Sequence, residues 1–519
     1  MKNSVFYLAV IVILSPIIAL GVNSIIGKSE VFAFLVENVL ADVFLNSLII
    51  MMFTSIGVLT IGVATAWFVV HYQFRGRKII QWALCMPLAF PAYILAYIYT
   101  DFFDGAAQYA LMLNSLKLGF LLPDFRTVFG ASFILTFCLY PYVYLFARNG
   151  FLASSQSQME SARLLGAGKW EQFFTIALPA ARPFIIVGLM LVTMEVLADY
   201  GTMDYFGIRV FSTVIYDSWA GYGDITAATH LSLLLLVFVM SLVFLEKNQR
   251  GKMKFYENGH ARGHINNRKK GTILVSFFCV LPILIGFIFP MTLLLIMVVE
   301  TFDILQVNQT IPYLYNTLIS STLVASLGVL CAYILALSKR EQLDKKKDIL
   351  FNLCGSGYAL PGIILGLGLL LMSSLFSYVG VLVTGTFIFL ILGYLIRFLN
   401  VALQGVEAGY DKISPSIDEA SALMRRRAFD DFWYIKLPLL WPSMLSAGLI
   451  LAVEVIKELP ITLVLRPFDF DTLAVHTYNL ASDERLADAS FPALCIVIVS
   501  CIPIILLQNF SDRHMNNRG

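Results

Sequence analysis

Glu160-Ser161-Ala162-Arg163-Leu164-Leu165-Gly166, then nine residues, then Ile176-Ala177-Leu178-Pro179: this stretch has a second copy in the chain. Its counterpart runs from Glu419-Ala420-Ser421 to Ile435-Lys436-Leu437-Pro438, at an offset of 259. In the first copy Glu160 suits a helix N-terminus, and Pro179 and Pro183 are expected to stop and restart helices. Gly166 permits a sharp turn between the two segments. The glycine position of the second copy is Arg425, inside Arg425-Arg426-Arg427, so the two turns are expected to differ.

The register extends beyond these loops. Pro183 aligns with Pro442, Glu195 with Glu454 and Asp199 with Glu458, and Phe211-Ser212-Thr213 falls on Phe470-Asp471-Thr472 and Asp224 on Asp483 with no gap. Upstream, Ala89-Phe90-Pro91-Ala92 resembles Ala359-Leu360-Pro361-Gly362, and Asn46-Ser47-Leu48-Ile49 matches Asn316-Thr317-Leu318-Ile319, both at an offset of 270. The chain therefore reads as a tandem repeat, with a first unit at 1–246, a Gly-, Asn- and Lys-rich linker at 247–270 and a second unit at 271–519.

Both units are built for lipid. Of 519 residues, 59% are hydrophobic and 13% charged, where a soluble chain carries about 25% charged residues; the mean hydropathy is +0.79. A crossing takes roughly 20 mostly apolar residues. Twelve such segments are expected, near 5–21, 44–70, 79–100, 127–147, 183–204, 226–246, 271–297, 315–337, 349–376, 380–402, 442–466 and 491–508. The fold class is thus an all-α integral membrane protein of two parallel six-helix repeats. The apolar N-terminal run is read as a retained first helix, because no small-residue cleavage site follows it.

Cytoplasmic loops retain Lys and Arg. With the N-terminus inside and Arg397 at the cytoplasmic end of the tenth span, 29 of the 36 basic residues fall inside. Six fall outside (Lys28, Lys117, Arg126, Arg209, Arg466, Arg485), and Lys457 lies within a span. Both termini are expected in the cytoplasm, and the loops at about 148–182 and 403–441 face the same side.

The formal charge of +2 argues against a nucleic-acid partner. The seven cysteines sit in or beside apolar runs without metal-ligand spacing. No HExxH, GxSxG or paired-His site suggests an enzyme, and Gly27-Lys28-Ser29 lacks the first glycine of a P-loop, Val22 standing in its place. A secondary transporter would not require two such loops in register.

Carboxylates inside spans mark substrate or ion paths. Glu195 and Asp199 are four residues apart and share a helix face, as do Glu454 and Glu458. Glu195 and Glu454 lie about twelve residues past Pro183 and Pro442, or roughly 18 Å along a helix, near mid-bilayer. A pseudo-twofold would bring them together into an acidic lining suited to a hard cation; Lys457, three residues from Glu454, is an alternative counter-ion that would make them structural.

The first loop resembles the EAA loop of ABC importer permeases, a family pattern of EAA, three residues, G, nine residues and I-x-L-P, with Ser161 replacing one alanine. The resemblance implies that Glu160, Ala162, Gly166, Ile176, Leu178 and Pro179, with Glu419, Ala420, Arg425, Ile435, Leu437 and Pro438, contact a separate cytoplasmic ATPase homodimer. That subunit would use ATP and Mg, and this chain would bind no cofactor; no residue set is singled out as a metal site. Fusion of two six-span halves resembles the ferric-iron and thiamine permeases. Met194-Glu195-Val196-Leu197-Ala198-Asp199-Tyr200-Gly201-Thr202, Asp204-Tyr205-Phe206-Gly207 and Lys457-Glu458-Leu459-Pro460-Ile461-Thr462-Leu463 look like the ferric-iron branch. That resemblance implies a permease in a bacterial inner membrane, loaded by an extracytoplasmic binding protein. Asp217, Asp224, Asp471, Asp483 and Arg485, in the loops near 205–225 and 467–490, are the residues expected to meet it.

Overall fold

The computed structural model describes residues 2–105, 125–153, 161, 162, 164, 166–251, 269–270, 273–340, 360–377, 385–410, 413, 417 and 432–516. Within them the chain is helical apart from loops and two strands of two residues each, β1 (Tyr72–Gln73) and β2 (Lys269–Lys270), paired in parallel. The helices are α1 (Lys2–Ile26), α2 (Glu30–Asn38), α3 (Leu40–His71), α4 (Arg77–Ala83), α5 (Ala92–Gly105), α6 (Val128–Ala153), α7 (Leu178–Ala198), α8 (Gly201–Tyr205), α9 (Phe211–Tyr216) and α10 (Ile225–Gly251). They continue with α11 (Ile273–Ile283), α12 (Phe289–Thr301), α13 (Ile304–Arg340), α14 (Gly362–Ser377), α15 (Phe387–Tyr410), α16 (Leu437–Lys457), α17 (Pro460–Leu465), α18 (Leu473–Ser482) and α19 (Leu486–Asn516).

Among the described residues, nine helices are long and apolar enough to cross a bilayer, or up to eleven counting two sharply bent pairs. The first expected span lies within α1, which forms one such pair with α2, bent by 94°. The third is the other, where the 77–89 segment meets α5 at 90°. The bend falls at Pro91, whose missing N–H and ring interrupt the ladder. Of the ninth expected span, 349–376, the described part is the apolar helix α14; its first residues lie outside the described set.

Three wide i→i+5 turns, at 173–177, 284–288 and 432–436, each run directly into a helix whose second residue is proline: Pro179, Pro290 and Pro438. A proline ring collides with the carbonyl four residues back, and opening the ladder by one residue relieves the collision. Here the sequence Leu-Pro at both repeat positions yields the same backbone device.

The packing is reciprocal. One buried cluster joins α3, α5, α6 and α7 to α11, α12 and α19. The other joins α13, α14, α15 and α16 to α1, α9 and α10. The first helix of each sequence half is therefore packed into the core of the other half: Pro16 of α1 lies so close to Gly368 of α14 that a Cβ there would come within 2.8 Å of the proline ring. The two halves are interlocked rather than two separate cores.

The repeat register needs one correction. Asn46 donates to the Arg209 carbonyl at 3.1 Å, and Asn316 to the Asp471 carbonyl at 3.0 Å. Ser47 accepts from the Phe211 N–H at 3.4 Å, and Thr317 from the Leu473 N–H at 2.8 Å. These paired bonds set Arg209 against Asp471 and Phe211 against Leu473, an offset of 262 (471 − 209 and 473 − 211), so the second half carries three extra residues between the start of α17 and the start of α18. Asp224 and Asp483 are accordingly not counterparts: Asp224 begins α10, whereas Asp483 caps the end of α18.

Candidate functional site

α7 and α16 end the same way. Asp199 and Glu458 leave the helix at φ/ψ of −66/122 and −68/122, Tyr200 and Leu459 follow at −107/−50 and −113/−57, and a short helix begins on the next residue. The breaks turn two helix ends toward each other, and Gly201 permits the approach: a Cβ there would come within 2.8 Å of the Leu459 side chain.

Between the breaks lies a cavity of about 90 Å³, room for several waters. All four carboxylates read from the sequence, Glu195, Asp199, Glu454 and Glu458, line it. So do Lys457 and Arg397. Taken with full charges, four anions face two cations, a formal balance of −2.

The charges are unevenly distributed. Glu454 accepts from the Tyr142 hydroxyl at 3.0 Å and pairs with Lys457 at 3.5 Å. Glu458 forms a buried pair with Arg397 at 2.8 Å and accepts from the Ile461 N–H at 3.0 Å. Asp199 instead accepts from the N–H and hydroxyl of Thr202, both at 3.1 Å. The second half thus neutralises its carboxylates with basic side chains, while Asp199 of the first is held by a local turn. Among the described residues, no three His, Cys, Asp or Glu side chains converge as metal ligands.

Arg397 was expected at the cytoplasmic end of its span. It lies instead near the middle of α15 with 5% of its surface exposed, which leaves 28 basic residues on the inside set (29 − 1). Its place depends on Gly362, where an added Cβ would collide with Nη1 of Arg397 and lie 2.8 Å from Glu458. The corresponding residue of the first half is Ala92, and the wall there is made with Cys138, whose thiol faces the Phe90 carbonyl at 3.2 Å.

At the other end of α7, Gly166 adopts φ +87 and the Ala167 N–H reaches back to the Ala162 carbonyl at 3.0 Å. That is the left-handed closure expected of a glycine that stops a helix. Leu164 and Trp170, on either side of the turn, are 89% and 76% exposed. Ile176, Leu178 and Pro179, and in the second half Ile435, Leu437 and Pro438, form the wide turn and the start of the following helix. Glu160, Glu419, Ala420 and Arg425 lie outside the described residues.

Comparison with known proteins bears directly on this arrangement. Residues 58–247 match the family described as binding-protein-dependent transport system inner membrane component. This region is similar to the permease domain of that family. The Fe(3+)-transport system permease protein of Haemophilus influenzae is 25% identical over 484 residues, covering 91% of this chain and 90% of the relative. The ferric transport system permease protein of Actinobacillus pleuropneumoniae is 24% identical over 503 residues, 92% of this chain and 72% of its own length. A probable sulfate transport system permease protein of Chlorokybus atmophyticus is 26% identical over 193 residues, 35% of this chain and 64% of the relative.

The matched permease domain includes the 161–179 loop, Glu195 and Asp199, so both ends of α7 belong to it. Of the loop residues expected to meet a binding protein, Asp217, Asp483 and Arg485 are exposed. Asp224 and Asp471 have local work. Asp224 accepts from the N–H groups of Thr226 and Ala227 at 2.9 Å and from Ser29 at 2.7 Å; burial raises its pKa, but these bonds outweigh it and hold the carboxyl below its ordinary value. Ser29 in turn caps α2 through the Phe32 N–H, so the Gly27-Lys28-Ser29 run is a helix entrance. Asp471 pairs with Arg466. Sequence reading did not single out Tyr200, Asp204 and Tyr478, which meet at the side of the cavity formed by Tyr200; the helix breaks that bring them together are long-range consequences of packing.

Proposed function

We propose that this chain is the membrane-spanning subunit of a binding-protein-dependent importer for ferric iron, and that the ion passes through the cavity between the ends of α7 and α16. The observation that carries the reading is that carboxylates from both sequence halves line one small polar cavity between helix breaks of the same backbone form. A charge inside a membrane protein is expensive unless paired or hydrated. Oxygen donors with a net negative balance suit a hard, highly charged cation. The names of the relatives that match over most of the chain agree with that chemistry.

In this reading both termini are cytoplasmic, and the 161–179 turn and its counterpart after Glu419 dock on a separate ATPase dimer that uses ATP and Mg. Leu164 and Trp170 supply exposed apolar contacts beside the turn. α7 and α16 are rigid links from these docking turns to Asp199 and Glu458, so rotation of the docked ends separates the two breaks and alters the cavity. A binding protein delivers cargo at the opposite face, near Asp217, Asp483 and Arg485.

The test is competitive uptake. Proteoliposomes containing the chain, its ATPase and a loaded binding protein should accumulate iron-55 on addition of ATP, with no accumulation of labelled thiamine or sulfate. Thiamine or sulfate accumulation without iron would replace the cargo assignment. Robust ATP hydrolysis by the purified chain alone would contradict the division of labour.

A further inference from the structure

We propose that Tyr200, Asp204 and Tyr478 form an oxygen-donor site that receives the trivalent ion at the junction of the two halves before it enters the acidic cavity. This rests on the ferric-iron reading above and adds a site to it. Tyr200 and Asp204 come from the break and short helix after α7, whereas Tyr478 comes from α18 in the other half. The Tyr478 hydroxyl donates to an Asp204 carboxylate oxygen and lies 3.4 Å from the Tyr200 hydroxyl. Tyr200 and Tyr478 are 4% and 6% exposed.

The surroundings hold these oxygens in place. The Tyr93 ring packs edge-on against Tyr478, and its hydroxyl donates to the Ala474 carbonyl at 3.3 Å. The Tyr216 ring packs against Tyr200 at a tilt, with ring centroids 4.7 Å apart. Small hard cations hold oxygens at about 2.0–2.1 Å, which puts neighbouring donors of an octahedron about 2.8 Å apart. The Tyr200 and Tyr478 oxygens need to close by only a few tenths of an ångström, and water can complete the shell.

Binding is an exchange of protons for metal. The two phenolic O–H bonds break and their protons pass to water, while the phenolate oxygens and the Asp204 carboxylate each displace a water or carrier oxygen from the ion, and the displaced group returns to solvent or carrier. Three negative donors then offset three positive charges and no electron is transferred. A bound cation lowers the proton affinity of its ligands, which makes phenolate accessible near neutral pH. The hydrogen bonds joining the halves at Tyr478 are replaced by metal bonds, and Tyr200, which is also a wall of the cavity, passes the ion toward Glu195 and Asp199.

Purified full chain in nanodiscs, titrated with ferric nitrilotriacetate in the absence of ATP and partners, should develop a visible phenolate-to-iron charge-transfer band that saturates near one iron per chain. Tyr200→Phe and Tyr478→Phe should each remove at least half of the band and weaken binding about tenfold or more. Tyr222→Phe, an exposed tyrosine elsewhere, should leave it unchanged. No band from the unmodified chain, or a band indifferent to both triad substitutions, overturns the site. If the complex imports iron and the band is absent, the site alone is wrong; if the band is present and the complex imports only another cargo, the site stands and the iron-import reading falls.

Discussion

The ends of α7 and α16 have nearly superimposable dihedral angles and opposite electrostatic solutions. Asp199 is one methylene shorter than Glu458 and reaches only the turn that follows it, at Thr202. Glu458 reaches both its own turn and the guanidinium of Arg397. Three substitutions travel together to make this possible: Glu for Asp, Arg397 for Cys138 across the wall, and Gly362 for Ala92 to clear space. The backbone form of the two breaks is retained while the charge beside them is redistributed: basic side chains pair with Glu454 and Glu458, and a local turn holds Asp199.

The largest effect is expected on the neutralised side. Arg397→Met leaves Glu458 buried without its partner and should cost about 3–5 kcal/mol, read as a lower unfolding temperature of the detergent-purified chain. Arg397→Met with Glu458→Leu should be milder than Arg397→Met alone. An unchanged melting temperature in the single variant would show that the pair is not what holds this side.

Next comes the space made for Arg397. Gly362→Ala should destabilise by about 1–3 kcal/mol through overpacking. Its counterpart Ala92→Gly should change stability by about 1 kcal/mol or less. Equal effects in the two positions would mean that the asymmetry of the walls has no energetic content.

Smaller still is the first-half break. Asp199→Asn keeps an acceptor for Thr202 and should cost about 1 kcal/mol or less, while iron uptake falls severalfold. Gly166→Ala has room for its Cβ, so its cost, about 1 kcal/mol, is purely that of the left-handed backbone. It should weaken coupling to the ATPase while lowering the melting temperature of the chain only slightly.

Much of this was legible in the chain because it is local or periodic. Apolar runs marked the crossings, and position within a span with a spacing of four selected the four carboxylates that share the cavity; Pro179 and Pro183 were read as helix stops, whereas Pro179 follows a wide turn in a continuing helix and Pro183 lies inside α7. The bend at Pro91 was not legible from hydropathy, since both arms of a kinked segment are equally apolar. Arg397 was misplaced because a basic residue near a loop ordinarily belongs to that loop; its partner sits 61 residues away. The three-residue shift between the starts of α17 and α18 was hidden by chance matches such as Phe211 on Phe470, and it emerged from the paired bonds of Asn46 and Asn316. Tyr478 meets Asp204 across 274 residues, beyond the reach of any motif.

The central claim is that the carboxylates of both halves carry the ion. Glu195→Gln with Glu454→Gln preserves shape and removes two charges from the cavity wall. In proteoliposomes with the ATPase and loaded binding protein, the account predicts iron-55 uptake at background, with membrane insertion, complex assembly and basal ATP hydrolysis retained. Uptake at the unmodified rate by an assembled double variant would contradict it and leave the four carboxylates as structural groups.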